Sequence, residues 1–169
     1  MFGHNRFDTL RDLFMDELRD LYDAERQILS ALPKMEERAS HDELKRAFRS
    51  HLEETRGQVS RLEQVFEMCG EKPERKTCAA MKGLVAEGQE ILKAKGDDDV
   101  IDAGLIAAAQ RVEHYEIAGY GTLRTLARRL GFEEQARLLQ QTLDQEGAAD
   151  KKLTQIAESR VNVEAAVSV

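Results

Sequence analysis

A chain of 169 residues, 41% hydrophobic and 34% charged with only 2 Pro, is sized for one mostly helical domain that buries roughly 70% of its extended surface. Lys and Arg number 25 against 32 Asp and Glu, a formal net charge of -7, which argues against a general nucleic-acid backbone binder, and the pair Arg128 and Arg129 is too short to reverse that. No apolar run approaches the roughly 18 residues of a membrane span, and MFGHNRFDTLRD lacks a basic region followed by an apolar one, so a cytoplasmic protein is expected. Cys69 and Cys78 flank GEKPERKT; two cysteines make no disulfide framework and read as free or partly buried thiols.

Residues 1–7 form a flexible lead-in in this reading, 8–159 a helical bundle, and 160–169 a tail of weak periodicity that is either disordered or laid over an apolar surface. Asp8 or Thr9 caps a first helix whose inner face carries Leu10, Phe14, Leu18, Leu21, Glu25, Ile28, Leu32 and Met35. Pro33 removes a backbone hydrogen bond, which predicts a kink or an end near Leu32 before the helix resumes to Arg38. Ser40 with Glu43 three residues later reads as a capping box for a second helix reaching Met68, with Leu44, Phe48, His51, Glu54, Gln58, Leu62 and Val65 inward. Gly70 ends it.

A shorter helix spans 78–94, and Gly96 with Asp97 to Asp99 makes a turn and an acidic cap. The next helix, Ala103 to Gly131, has a stripe of Ile106, Ala109, Glu113, Glu116, Ile117, Tyr120, Leu123, Ala127 and Leu130, in which two acids stand where Leu is expected. A tight turn leads into a last helix over Glu133 to Glu158, where Ala136, Leu139, Leu143, Glu146, Asp150, Leu153 and Ala157 alternate spacings of three and four. Short turns within each half and a connection of about thirty residues between halves give the order of an all-α, antiparallel, ferritin-like four-helix bundle with a short extra helix in the long crossover.

Glu25, Glu54, Glu113 and Glu146 come from four different helices, each mid-stripe, and His51, Gln58, Glu116 and Asp150 lie one turn away. No Lys or Arg shares those depths. Unpaired buried carboxylates cost several kcal/mol apiece unless they take up protons or a cation. Carboxylates with an occasional imidazole suit two divalent ions of iron or manganese, and the absence of central thiolates disfavours structural zinc. A polar layer or interface without metal is the competing reading, and His51 is either a ligand or a hydrogen-bonding support. His114 sits at the stripe's edge, and Tyr120 is the tyrosine best placed to donate to a carboxylate.

The blocks LYDAERQIL (21–29), HLEETRGQVSRLEQVF (51–66), AAAQRVEHYEIAGYGTLRTLARRLG (107–131) and TLDQEGAADKKLTQIA (142–157) resemble the YciE/YciF family of bacterial ferritin-like proteins over roughly residues 8–160. The resemblance implies a homodimer of four-helix bundles, a di-metal site and an association with stress responses, with no agreed reaction. The motif match carries over a first-helix Glu as Glu25, a second-helix Glu as Glu54, and a Glu-x-x-Glu variant as Glu113 and Glu116. Gly57 and Ala149 stand where the superfamily's histidines follow Glu54 and Glu146, which leaves His51, Gln58 or Asp150 as substitutes. O2 or peroxide is the expected small-molecule substrate of an oxidoreductase; the other expectation is a non-enzymatic dimeric bundle.

Overall fold

The computed structural model describes residues 6–167; the expectations for the N-terminal lead-in and the end of the tail fall largely or partly outside that range. Its elements are all helical: α1 (Leu10–Arg38), α2 (Asp42–Met68), α3 (Ala79–Lys93), α4 (Asp98–Arg129), α5 (Glu133–Ile156), a π-helical turn (Ala157–Val161) and α6 (Asn162–Val167).

Thr9 caps α1 by accepting from the Asp12 N–H, and the Asp12 carboxylate returns to the Thr9 N–H at 2.8 Å, a reciprocal capping box. The helix does not end at Leu32. It continues through Pro33 to Arg38 as one element, with Ile28 and Leu32 buried on the face that would have to move if it broke. At the next turn the expected Ser40 cap is replaced. His41 caps α2, its Nδ1 accepting from the Glu43 N–H at 3.3 Å, while Ser40 gives both its N–H and its hydroxyl to Asp102. The reason is tertiary: the fully buried Asp102 carboxylate of α4 also takes the His41 N–H at 2.8 Å, so three donors of the α1–α2 turn satisfy one acid from the other half of the bundle.

Gly70 and Gly131 follow α2 and α4 with φ of 75° and 76°, the left-handed conformation that ends a helix without steric penalty for glycine. The linkers 39–41 and 130–132 are short, so α1 and α2 are antiparallel, as are α4 and α5. Between halves, Ser40 meets Asp102 and Tyr115 meets Asp20, so α1 and α4 also run antiparallel. Contacts of Arg61 with Thr142 and of Lys152 with Glu43 set the same relation for α2 and α5. The crossover 69–97 therefore travels the length of the bundle, carrying α3 against α1 and α4. This is the ferritin-like four-helix topology with an extra short helix.

Two apolar clusters fill the bundle, one toward each end. Leu32, Phe48, Leu105, Ile106, Leu153 and Ile156 belong to the first. Phe14, Leu18, Leu62, Phe66, Leu123 and Leu139 belong to the second. On every long helix the chain passes from one cluster to the other at the middle, and that is where the polar residues fall.

Beyond Ile156 the π turn widens the helix by one residue and brings Val161, five positions on, into burial; α6 then lies along α4. Residues 157–167 are thus helical, with Ala157 and Val161 buried against the bundle and α6 lying exposed on its surface.

Two helical glycines differ in what surrounds them. A Cβ on Gly57 would meet nothing within 4 Å, whereas one on Gly119 would lie 2.8 Å from Cδ2 of the buried Leu21, across the α1–α4 contact. Gly57→Ala is expected to raise stability by about 0.5–1 kcal/mol through helix propensity. Gly119→Ala is expected to show no gain or a loss, because overpacking of about 1–3 kcal/mol opposes the same term. Urea unfolding of both variants measures the difference.

Candidate metal centre

Between the two apolar clusters each long helix contributes polar side chains to one layer: Glu25 from α1, His51, Thr55 and Gln58 from α2, Glu113, Glu116 and Tyr120 from α4, and Thr142 and Glu146 from α5. Antiparallel neighbours place mid-helix positions at equal depth, which brings together residues up to 121 positions apart in sequence (Glu25 and Glu146). Glu25, Glu116 and Glu146 are 0% exposed, Glu113 2% and His51 7%.

His51, Glu113, Glu116 and Glu146 each present a ligand-type atom, and these atoms lie within 4.8 Å of one another. Glu25 joins the group through contact with Glu116 and the charge of Glu146, and its Oε1 accepts a hydrogen bond from the Tyr120 hydroxyl. Glu54 stands at the rim, its side chain 39% exposed and Oε2 3.7 Å from His51 Nδ1. Asp150 is engaged elsewhere: Gln110 Nε2 donates to it at 3.0 Å and His114 Nε2 is 3.2 Å away. Of the seven sequence candidates, five therefore share the buried centre (Glu25, His51, Glu113, Glu116 and Glu146), while Glu54 and Asp150 flank it.

The positions that lack the superfamily's histidines behave differently. Gly57 lies on the exposed side of α2, whereas His51, one turn before Glu54, points inward; its Nε2 is 3.2 Å from Glu113 Oε1. Ala149 lines a cavity of about 590 Å³ between α2 and α5 that also reaches His51, Glu54 and Glu113.

The donor set is unsatisfied. Oε2 of Glu25 and Glu113 and both carboxyl oxygens of Glu116 and Glu146 are buried without a hydrogen-bond partner, and the His51 nitrogens, though close to Glu113 and Glu54, make no well-aligned hydrogen bond. Among the described residues no Lys or Arg pairs with the four carboxyl groups. Burial, with the Glu146 charge next, pushes Glu25 from an ordinary 4.5 to about 8. Burial first, with Glu25 and Asp150 adding to it against a contact with Glu146, takes Glu113 to about 8 as well. Glu116 and Glu146 are raised well above the carboxyl range, by burial and then by their neighbouring acids. For His51 burial disfavours the cation, but Glu54, Glu146 and Glu25 outweigh it and raise the imidazole.

Asp23 shows the opposite outcome for a buried acid. Burial raises it, yet the Cys78 N–H at 2.8 Å, Gln27 at 2.7 Å and Arg75 at 2.8 Å together bring it below its ordinary value. The fold knows how to satisfy a carboxylate with its own donors, and at the centre it does not. Hard oxygen ligands, one imidazole and several orphaned lone pairs form a set that a divalent cation fits.

Sequence reasoning missed the polar seam beside the centre. Arg61 Nη1 donates to Thr142 Oγ1 at 2.9 Å and to Gln145 Oε1 at 2.7 Å, closing α2 onto α5. No sequence signal marks Arg61, since it lies off the apolar stripe and its partners are more than 80 residues away.

No helix among the described residues is long and apolar enough to cross a membrane. The chain matches the model of a family described as a domain of unknown function, DUF892, over residues 9–166. It is 48% identical over 158 residues to Protein YciF of Escherichia coli (strain K12), an alignment covering 93% of this chain and 95% of that protein. The crystal structure of the E. coli stress protein YciF superposes with a TM-score of 0.89 over 92% of this chain and 99% of that one, at 48% identity. A putative structural protein from Rhodopseudomonas palustris, YcfI, is 45% identical with a TM-score of 0.86 over 91% and 97% of the two chains. A Xanthomonas campestris protein at 27% identity gives 0.70 over 89% and 91%. With the family model spanning nearly the whole bundle and near-half identity to YciF over the same residues, the chain belongs to the DUF892 family of YciE/YciF-type bacterial stress proteins.

Proposed function

We propose that the central layer holds two divalent metal ions, iron or manganese, and that the protein handles this metal or uses it in oxidation chemistry during stress. The single observation that carries the reading is the set of partnerless buried ligand atoms on Glu25, His51, Glu113, Glu116 and Glu146. Glu54, at the rim beside His51, is the further carboxylate that completes the set; Asp150 would have to leave Gln110 and His114 to join it. Bound iron or manganese would supply one-electron chemistry toward O2 or peroxide.

The chain's own residues set the conditions for that chemistry. The two apolar clusters exclude water from either side and strengthen every charge interaction between them. Tyr120 holds Glu25 in one orientation by donating to Oε1. Protons held by the raised carboxyl groups leave when a cation enters, so metal uptake and proton release are linked. We further propose a cytoplasmic homodimer, which sedimentation equilibrium would show as twice the chain mass.

Anaerobic titration with Fe(II), or Mn(II), is expected to leave two equivalents bound after desalting, and Glu113→Ala or Glu146→Ala to lose at least one. Absence of retained metal in the unmodified protein would establish the competing reading, a bundle whose protonated acids form an inert polar layer. A pH series gives an independent check on the metal-free protein. Glu25 and Glu113 titrate near 4.5 when unfolded and near 8 when folded, so the folded state holds more protons in between, and stability falls as pH rises across that window. Melting temperature should therefore drop from pH 5.5 to pH 8.5 without metal, and the drop should shrink when metal is bound.

A further inference from the structure

The cavity that reaches the centre is a slot between α2 and α5, and its walls are defined by what the chain places there. At one end Gln58, Arg61, Thr142 and Gln145 tie the two helices together. At the other, Lys152 Nζ approaches Glu43 Oε1 at 3.5 Å across the mouth. Between these crossings Ala47 on α2 and Ala148 and Ala149 on α5 are small and leave space between the helices that their side chains do not fill. Phe48, Leu32, Leu153 and Ala109 form an apolar floor, and all four are buried. His51 and Glu113 are exposed to the slot at its inner end, both more than nine-tenths buried and both with a ligand atom lacking a partner.

The volume decides what such a slot is for. Dioxygen or peroxide is about the size of one water, and a slot of about 590 Å³ is far larger than either needs. It falls within the roughly 300–1,000 Å³ of sites that enclose an organic molecule. Charge at the mouth narrows the class. Four charges edge the slot: Lys152 stands across from Glu43 at 3.5 Å, Glu54 lies 3.7 Å from His51 Nδ1, and Arg46 on α2 has no carboxylate partner among the described residues. An apolar trough with an unpaired guanidinium at its entrance matches a molecule with a hydrocarbon body and one anionic end.

We propose that the slot binds a free amphipathic organic acid, with its carboxylate at Arg46 and its carbon chain over Phe48, Ala109, Ala149 and Leu153, so that the far end of the chain abuts His51 and Glu113. The proposal rests on the metal reading for its chemical purpose, since it gives the central site an organic substrate class rather than only a small oxidant. Occupancy of the slot itself depends on the walls and the rim.

The probe is dodecanoate, kept below its micelle concentration and titrated calorimetrically into the full chain, once metal-loaded and once after chelation. Saturable one-to-one binding is expected, about tenfold weaker in Arg46→Ala and undetectable in Ala149→Trp, which fills the slot; dodecanol should not distinguish Arg46→Ala from the unmodified protein. Backbone NMR shifts in the unmodified protein should move at 46–54 and 145–153, which tests the location even if Ala149→Trp fails to fold, and Ala47→Leu narrows the slot from the opposite wall. No saturable binding, equal binding by the slot-filling variants, or shifts confined to other surfaces would overturn the proposal. Because metal content is measured on the same samples, loss of the metal reading with dodecanoate binding retained, or the reverse, separates the two failures.

Discussion

Four carboxyl groups enclosed in a helical bundle, with no compensating Lys or Arg among the described residues, set the terms for everything around them. Charged, they would repel one another in a medium of low dielectric; neutral, they keep the protons that water would otherwise take. Glu25, Glu113, Glu116 and Glu146 take the second course, and each is raised chiefly by its burial and then by its neighbours. A bound cation would reverse the arrangement by taking lone pairs that no donor among the described residues meets. The centre is therefore a set of unsatisfied ligand atoms flanked by two apolar clusters and reached from one side by the slot between α2 and α5, and the clusters supply the stability that tolerates it.

The scaffold also shows that this condition is local. Asp102 takes three donors from the α1–α2 turn, and Asp23 takes donors from Cys78, Gln27 and Arg75 in fixing the crossover to α1. Both acids are buried, Asp23 less deeply than those at the centre, and both are fully engaged. They do architectural work, since Asp102 joins the two halves at one end and Asp23 anchors the segment that leads into α3. The same residue types thus serve two ends, and the number of donors within reach separates them.

The departures from the superfamily's ligand pattern acquire a physical meaning in three dimensions. Gly57 faces outward, so a side chain there would not reach the centre; the imidazole present at the centre is that of His51, on the inner face of α2. Ala149 is half-buried on the wall of the slot, and its small side chain, with Ala47 and Ala148, leaves the gap between α2 and α5 that reaches the centre. One absence changes which turn of the helix carries nitrogen, and the other creates space.

Much of this was legible in the chain. Helix periodicity located all four long helices, the two tight turns and the long crossover, because burial of one stripe per helix is a local property written every three or four residues. The acids at Glu25, Glu113, Glu116 and Glu146 stood out for the same reason, as did Tyr120 among the tyrosines. Other features had no local signature. Ser40 carries a proper capping motif, yet the stronger acceptor Asp102, 62 residues on, claims its donors. Continuity through Pro33 followed from packing on neighbours, against the backbone's own preference. Sequence by itself determined most of the enclosed stripe, since hydrophobic spacing forces one, although Leu10 and Glu54 at its margins are part-exposed and the buried Asp23 and Asp102 carry no such signal. Only the tertiary structure decided which of the enclosed acids are left without partners and where small residues leave a slot, because both depend on what the other three helices bring to the same depth.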